Sequence, residues 1–200
     1  NTTISSFTPV LRLLNRGGSG QSVKVTLYRA DGAECSEVVQ TNIGPLDYVS
    51  IPLTQSQCLQ EKSFGLIKIT YPSKEYDGDL TMVRGNGIDS RMTSLFSLPL
   101  TNSITGVSHV LVDGSYTSWR GGDDIHRLRN DLFLSNLSPS EKRFTIRRYN
   151  GAGASVKTVV VTIPPLGTTR IQFPYGDEQP EEHGIQEIEP FDLTAPYTAI

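Results

Sequence analysis

The sequence predicts an all-β chain built as two tandem β-sandwich repeats. Three observations point there. The 200 residues break into short runs rich in Val, Ile, Thr, Tyr and Phe, set apart by Gly, Pro, Asn and Asp, which reads as many strands joined by turns. Within the runs the apolar residues alternate, as a half-buried strand requires. The same series of motifs then occurs a second time, about 120 residues further on. No convincing long amphipathic helix interrupts the series.

In the run from Val23 to Leu27, Val23, Val25 and Leu27 point one way, and Lys24 and Thr26 the other. Asp31-Gly32 follows as a hairpin turn. Val49, Ile51 and Leu53 alternate again, as do Ile67, Ile69 and Tyr71. A helical turn capped by Thr54 is expected after Leu53. Met82 sits in a further short run, and the stretch from Arg91 to Leu98 closes the sheet. Gly17 to Gly20 reads as a flexible hairpin loop.

The second series matches the first in order. Leu11 to Asn15 corresponds to Leu132 to Asn136, and Val25-Thr26-Leu27 with Asp31-Gly32 to Phe144-Thr145-Ile146 with Asn150-Gly151. Pro45-Leu46 with Val49, Ile51 and Leu53 corresponds to Pro165-Leu166 with Thr169, Ile171 and Phe173. Gly65 and Ile69 match Gly184 and Ile188, and Leu80 to Val83 matches Tyr197 to Ile200. The inward side chains stay apolar while the outward ones drift, which is the trace of one core template used twice. The expected division is therefore 1–104 and 105–200, with about seven strands in each repeat. Val107 to Asp113 reads as the leading strand of the second repeat, followed by a long polar loop from Gly114 to Asp124. The second repeat reads as lacking its final hairpin, because Ile200 falls where that hairpin would begin.

These motifs resemble the tandem immunoglobulin-like β-sandwich repeats of secreted or cell-surface bacterial proteins. The resemblance rests on an apolar strand ending in Asn (Leu11 to Asn15), a strand ending in Asp-Gly (Val23 to Gly32), a Pro-Leu turn before a short apolar strand (Pro45 to Leu53) and a late Gly-led strand (Gly65 to Tyr71). The stretch from His109 through Trp119 to Asn136 resembles the opening of such a unit. The resemblance implies a spacer, adhesive or assembly module outside the cytoplasm, and it carries over no catalytic residue.

Composition narrows the function classes. Eighteen basic against twenty-one acidic residues give a net charge of −3, a poor match to nucleic acid, whose binding rests on phosphate neutralisation. No apolar run approaches the length that spans a bilayer. The polar start at Asn1, with no initiating Met, fits a processed or trimmed chain. Cys35 and Cys58, the two cysteines, match no zinc or redox spacing. Read as a disulfide they imply an oxidising compartment and contribute about 3 kcal/mol; read as free thiols they are two buried small hydrophobes.

Catalytic signatures are missing: Gly17-Gly18-Ser19-Gly20-Gln21 fails as a nucleophile elbow at its last position, and nothing beside His109, His126 or His183 suggests a triad. The chain is read as no enzyme and as needing no cofactor beyond calcium. Glu75, Asp77 and Asp79 supply hard oxygens for calcium, and Asp123-Asp124 with His126 offer a second metal set; against both stands the reading of solvated turns, with Asp77-Gly78 itself a turn pair. Tyr116, Trp119 and Arg120 could stack on a sugar from the polar loop, or serve as core. Lys142, Arg143, Arg147 and Arg148 gather near one strand, Arg143, Thr145 and Arg147 facing outward and Arg148 inward. They form a solvated basic face, or a patch that meets the acidic Asp177 to Asp192 segment of another copy. That segment itself reads as a carboxylate-rich loop followed by an edge strand. Asn1-Thr2-Thr3 and Asn136-Leu137-Ser138 are glycosylation sequons, the second disfavoured by Pro139. The expected partners are other protein subunits or copies of the chain joined through strand edges, with a glycan as the alternative centred on Trp119.

Overall fold

A computed structural model of the chain describes residues 7–53, 64–72, 76–85, 92–99, 101, 103–113, 116–121, 124–129, 131–171, 181–182 and 184–200. The protein is all-β. In chain order the strands are β1 (Phe7–Asn15), β2 (Gln21–Arg29), β3 (Glu34–Ile43), β4 (Tyr48–Pro52), β5 (Gly65–Thr70), β6 (Tyr76–Gly85) and β7 (Met92–Pro99). They continue with β8 (Val110–Asp113), β9 (Tyr116–Gly121), β10 (Asp124–Arg129), β11 (Leu132–Asn136), β12 (Lys142–Asn150), β13 (Ser155–Ile163), β14 (Thr168–Ile171), β15 (Glu181–Glu182), β16 (Gly184–Pro190) and β17 (Tyr197–Ala199). The chain divides into two compact units, residues 1–29 with 33–102 and residues 30–32 with 103–200.

The first unit packs a sheet ordered β4-β1-β6-β7 against one ordered β3-β2-β5. Its core draws Leu11 and Leu13 from β1, Val23, Val25 and Leu27 from β2, Cys35 and Ile43 from β3, and Ile51 from β4. The alternation read from the sequence is the alternation that buries these side chains between two layers. The second unit repeats the plan with sheets ordered β14-β11-β17 and β13-β12-β16-β8, and adds a small sheet ordered β10-β9-β15. Leu132 and Leu134 of β11, Phe144 and Ile146 of β12, Ile163 of β13, Ile171 of β14, Ile188 of β16 and Tyr197 of β17 form its core. Phe144 and Tyr197 meet edge to face at 5.3 Å.

The duplication extends to buried polar chemistry. Asn15, at the end of β1, is fully buried; its Nδ2 donates to Ser19 O (2.8 Å), Ile43 O (3.3 Å) and Gly44 O (2.9 Å), and its Oδ1 accepts from Gly17 N (2.9 Å). Asn136, at the end of β11, is equally buried. Its Nδ2 donates to Ser140 O (2.8 Å), Ile163 O (3.1 Å) and Pro164 O (3.0 Å), and its Oδ1 accepts from Ser138 N (3.0 Å). Asparagine alone among the side chains supplies donors and an acceptor in this short planar format. Each asparagine therefore fastens the loop after its own strand to the end of the second strand that follows it, β3 in the first unit and β13 in the second.

The Pro-Leu turns are duplicated as well. Asp47 N donates to Gly44 O at 3.3 Å and Gly167 N to Pro164 O at 3.0 Å, while Leu46 and Leu166 take φ of 56° and 54°. That is a type II turn with proline second and a left-handed third residue, the position that normally takes glycine. Gly65 and Gly184 form a third matched pair. A Cβ on either would stand 2.0 Å from Tyr28 O or 2.2 Å from Tyr149 O, so close strand approach excludes a side chain.

Several expectations are corrected. Gly17 to Gly20 forms no hairpin, since β1 pairs with β4 and β6 while β2 pairs with β3 and β5; the segment crosses between sheets. Asp77-Gly78 lies within β6, opposite Leu14 and Leu13 of β1, where pairing overrides turn preference. The polar loop carrying Trp119 is a β-hairpin instead. β9 and β10 pair from Tyr116 opposite Arg129 to Gly121 opposite Asp124, because the Tyr, Thr and Trp of this stretch favour extended backbone. The acidic segment holds a two-residue edge strand, β15, at the end of the sheet β10-β9-β15, but its longer strand, β16, is interior, between β12 and β8. The helical turn after Leu53 lies outside the described residues.

Candidate interaction face

The outward face of the sheet β13-β12-β16-β8 gathers the most organised polar chemistry among the described residues. Register sets it up. Arg147 of β12 stands opposite Thr158 of β13 on one side and Glu187 of β16 on the other. Thr145 stands between Val160 and Glu189, and Glu187 opposite Leu111 of β8.

Arg147 reaches Glu187 at 3.3 Å and Glu189 at 2.6 Å. Glu187 also accepts from the Tyr149 hydroxyl at 2.8 Å and holds His109 Nδ1 at 2.9 Å. The Tyr149 hydroxyl and the Arg147 guanidinium, aided by the charge of His109, hold the Glu187 carboxyl below the usual glutamate range. In return that carboxylate pushes the Tyr149 phenol up. At the end of the face Lys142 meets Asp192 at 2.7 Å, and Arg143 lies over the Phe191 ring at 4.7 Å. The Lys142 ammonium, then the Thr194 hydroxyl and amide, bring the Asp192 carboxyl down to about 2.

Apolar side chains surround this network in solvent. Leu111 is 61% exposed, Val160 51%, Val156 47% and Ile185 42%. In contrast Thr145, expected to be solvated, is only 8% exposed beneath its neighbours. Arg148 is buried, as its inward position requires.

The basic cluster reads from the sequence as a solvated face, or as a patch that meets the acidic segment of another copy. Here Arg147 and Lys142 meet Glu187, Glu189 and Asp192 of the same unit. Pairing of β12 with β16 brings the two together, and no local pattern announces a contact about 40 residues apart. His109 and Tyr149, the two other members, carried no sequence signal as site residues.

The sequence-derived candidates lie elsewhere. Tyr116, Trp119 and Arg120 fall on β9, with Tyr116 opposite Glu182 of β15, and Trp119 and Arg120 opposite His126 and Ile125 of β10. Asp77 and Asp79 face β1 on a strand, not in a loop. Asp77 accepts from Gly78 N at 2.9 Å and Asp79 from the Thr81 hydroxyl at 2.9 Å; Glu75 lies outside the described residues. Asp123 also lies outside them. Among the described residues no three His, Cys, Asp or Glu side chains are grouped to hold a metal. Cys35 is buried in the first core, and Cys58 lies outside the described residues. The Asn136 sequon is unusable in the folded protein, because the amide nitrogen that would carry the glycan makes three buried hydrogen bonds; Asn1 lies outside the described residues. A hollow of about 350 Å³ lined by Ser22, Lys24, Thr70, Tyr71 and Pro72 holds no carboxylate.

Comparison with family models, with curated proteins and with solved structures finds no match to this chain.

Proposed function

We propose that this chain is a non-catalytic structural or interaction module that works outside the cytoplasm. In this reading its two units are immunoglobulin-like repeats that join copies of the chain, or other protein subunits, through sheet surface and strand edges. The observation that carries the reading is the outward face of β13-β12-β16-β8. A fixed ion-pair network ringed by solvent-exposed Leu111, Ile185, Val156 and Val160 has the mixed polar and apolar character of a protein contact surface. The burial of polar groups supports it too: the most deeply held ones, Asn15 and Asn136, are spent on fastening loops. Cys35, buried and not a free thiol, supports an oxidising compartment and a bridge to Cys58.

The test is mass by light scattering across a wide concentration range, with parallel assays on chromogenic glycosides, esters and peptides. The reading expects mass to rise with concentration and no turnover. A monomer at every concentration, or turnover lost in Glu187→Gln, overturns it.

A further inference from the structure

We infer that β13 is the joining edge, and that its occupant is β13 of a second copy of this chain, added antiparallel about a two-fold axis. The inference rests on the reading of the chain as an assembly module and names the edge that such assembly uses.

Among the described residues β13 has a strand partner on one side only, at the end of its sheet. A terminal strand exposes a row of backbone donors and acceptors, and proteins ordinarily shield such rows by shortness, charge, proline or a bulge. The other terminal strands have one of these devices, and β13 has two, Lys157 and a register shift opposite Arg148 and Tyr149, both confined to its first three residues. β8, β14, β15 and β17 have at most four residues, β3 carries Glu34 and Glu37, β5 carries Lys68, and β10 carries Asp124, Arg127 and Arg129. β4 ends on Pro52, and β7 ends on Pro99 and has a register shift between Ser94 and Phe96. β13 is nine residues long, and from Thr158 to Ile163 it runs through six successive β-branched residues with no charge. That composition is the signature of a strand that pairs with its own kind. The matching strand of the first unit, β3, has glutamates and amides in its place, so the open edge belongs to the second unit and not to the template.

The side chains make the edge complementary to itself. Pairing centred on Val160 sets Val160 against its copy and Thr158 against Thr162 on the outward face. On the inward face it sets Val159 against Val161. Lys157, the strand's only charge, then falls opposite Ile163 and not opposite another lysine. Val159 and Val161 pack on the core while still partly exposed; the copy's valines would complete their burial. The joined sheet would run through four strands of each copy, with a charged network on either side of the joint.

The test uses the full chain and two variants. In Val160→Lys a charge enters the centre of the joint at a half-exposed position, and circular dichroism checks that the fold survives. Sedimentation velocity is expected to give dimers for the unaltered chain at high concentration, and monomers for Val160→Lys over the same range. In Val160→Cys the two thiols meet at the axis, where opposed Cα atoms of an antiparallel pair lie roughly 4.5–5.5 Å apart, within disulfide reach. Mild oxidation is expected to give a covalent dimer, whereas Thr158→Cys, opposite Thr162, stays largely monomeric. If the unaltered chain associates while Val160→Lys associates equally and Val160→Cys forms no covalent dimer, β13 is not the joint, though the assembly reading stands. If the unaltered chain stays monomeric throughout, both fall.

Discussion

Replacing Asn136 by alanine tests whether the second unit is held by the polar clamp at the end of β11. The substitution removes three donated hydrogen bonds and one accepted one, and the site is fully buried. A net value of about 1 kcal/mol per bond gives roughly 4 kcal/mol. Water reaching Ser140 O, which is only partly buried, lowers the figure to about 3 kcal/mol. That is a large fraction of the 5–15 kcal/mol typical of a domain. Urea unfolding measures it. Trp119 is the chain's single tryptophan and lies in the second unit, so its fluorescence follows that unit, while circular dichroism follows both. With a slope of about 1.5 kcal/mol per molar urea, the fluorescence midpoint should fall by about 2 M. Asn136→Asp should be worse at neutral pH, because it sets an anion against three carbonyl oxygens. A loss under 1 kcal/mol for Asn136→Ala would refute the clamp argument, and with it the equivalence of Asn15 and Asn136.

Other outcomes follow from the same geometry. Leu46→Gly should stabilise the first unit by about 0.5–1 kcal/mol. It relieves a left-handed backbone worth roughly 1–2 kcal/mol against roughly 0.4–1 kcal/mol of unfolded-state entropy, and Leu46 is 75% exposed and buries little; thermal melting reads it. Gly184→Ala should cost about 2–3 kcal/mol by forcing β16 away from Tyr149 O, visible in the same fluorescence melt. Stability of the second unit should be fully present above about pH 5 and decline as pH falls toward 2, since the Glu187 and Asp192 carboxyls are depressed in the folded state. Glu187→Gln and Asp192→Asn should each flatten that decline in a pH series of melts. Peptide mass mapping without reductant should recover Cys35 linked to Cys58, and the linked species should disappear after reduction.

The fold was legible where the chain speaks locally. Alternation marked Val23, Val25 and Leu27 as core, and all three are buried; the ordered recurrence of strand-end asparagines and Pro-Leu turns marked structural positions whose hydrogen bonds and backbone angles match. What was not legible depends on distant pairing. Nothing near Glu187 says that β8 will cover β16, so a strand read as an edge is interior. The contact of Arg147 with Glu187 and Glu189 arises from register between strands far apart in the chain, so a cluster read as a solvated face, or as a patch for another copy, is already engaged. Trp119 sat in a stretch too polar to show a strand period, and its hairpin emerges only from pairing with β10. The β13 edge was in plain view as a run of β-branched residues, but only the sheet order reveals that one side of it has no partner among the described residues.

The most direct test of assembly through this edge is backbone hydrogen exchange at low and high protein concentration. The account predicts that amides of 155–163 gain protection as concentration rises while those of 34–43, the matching strand of the first unit, do not change. Exchange in 155–163 that is independent of concentration, under conditions where the mass has risen, would contradict it.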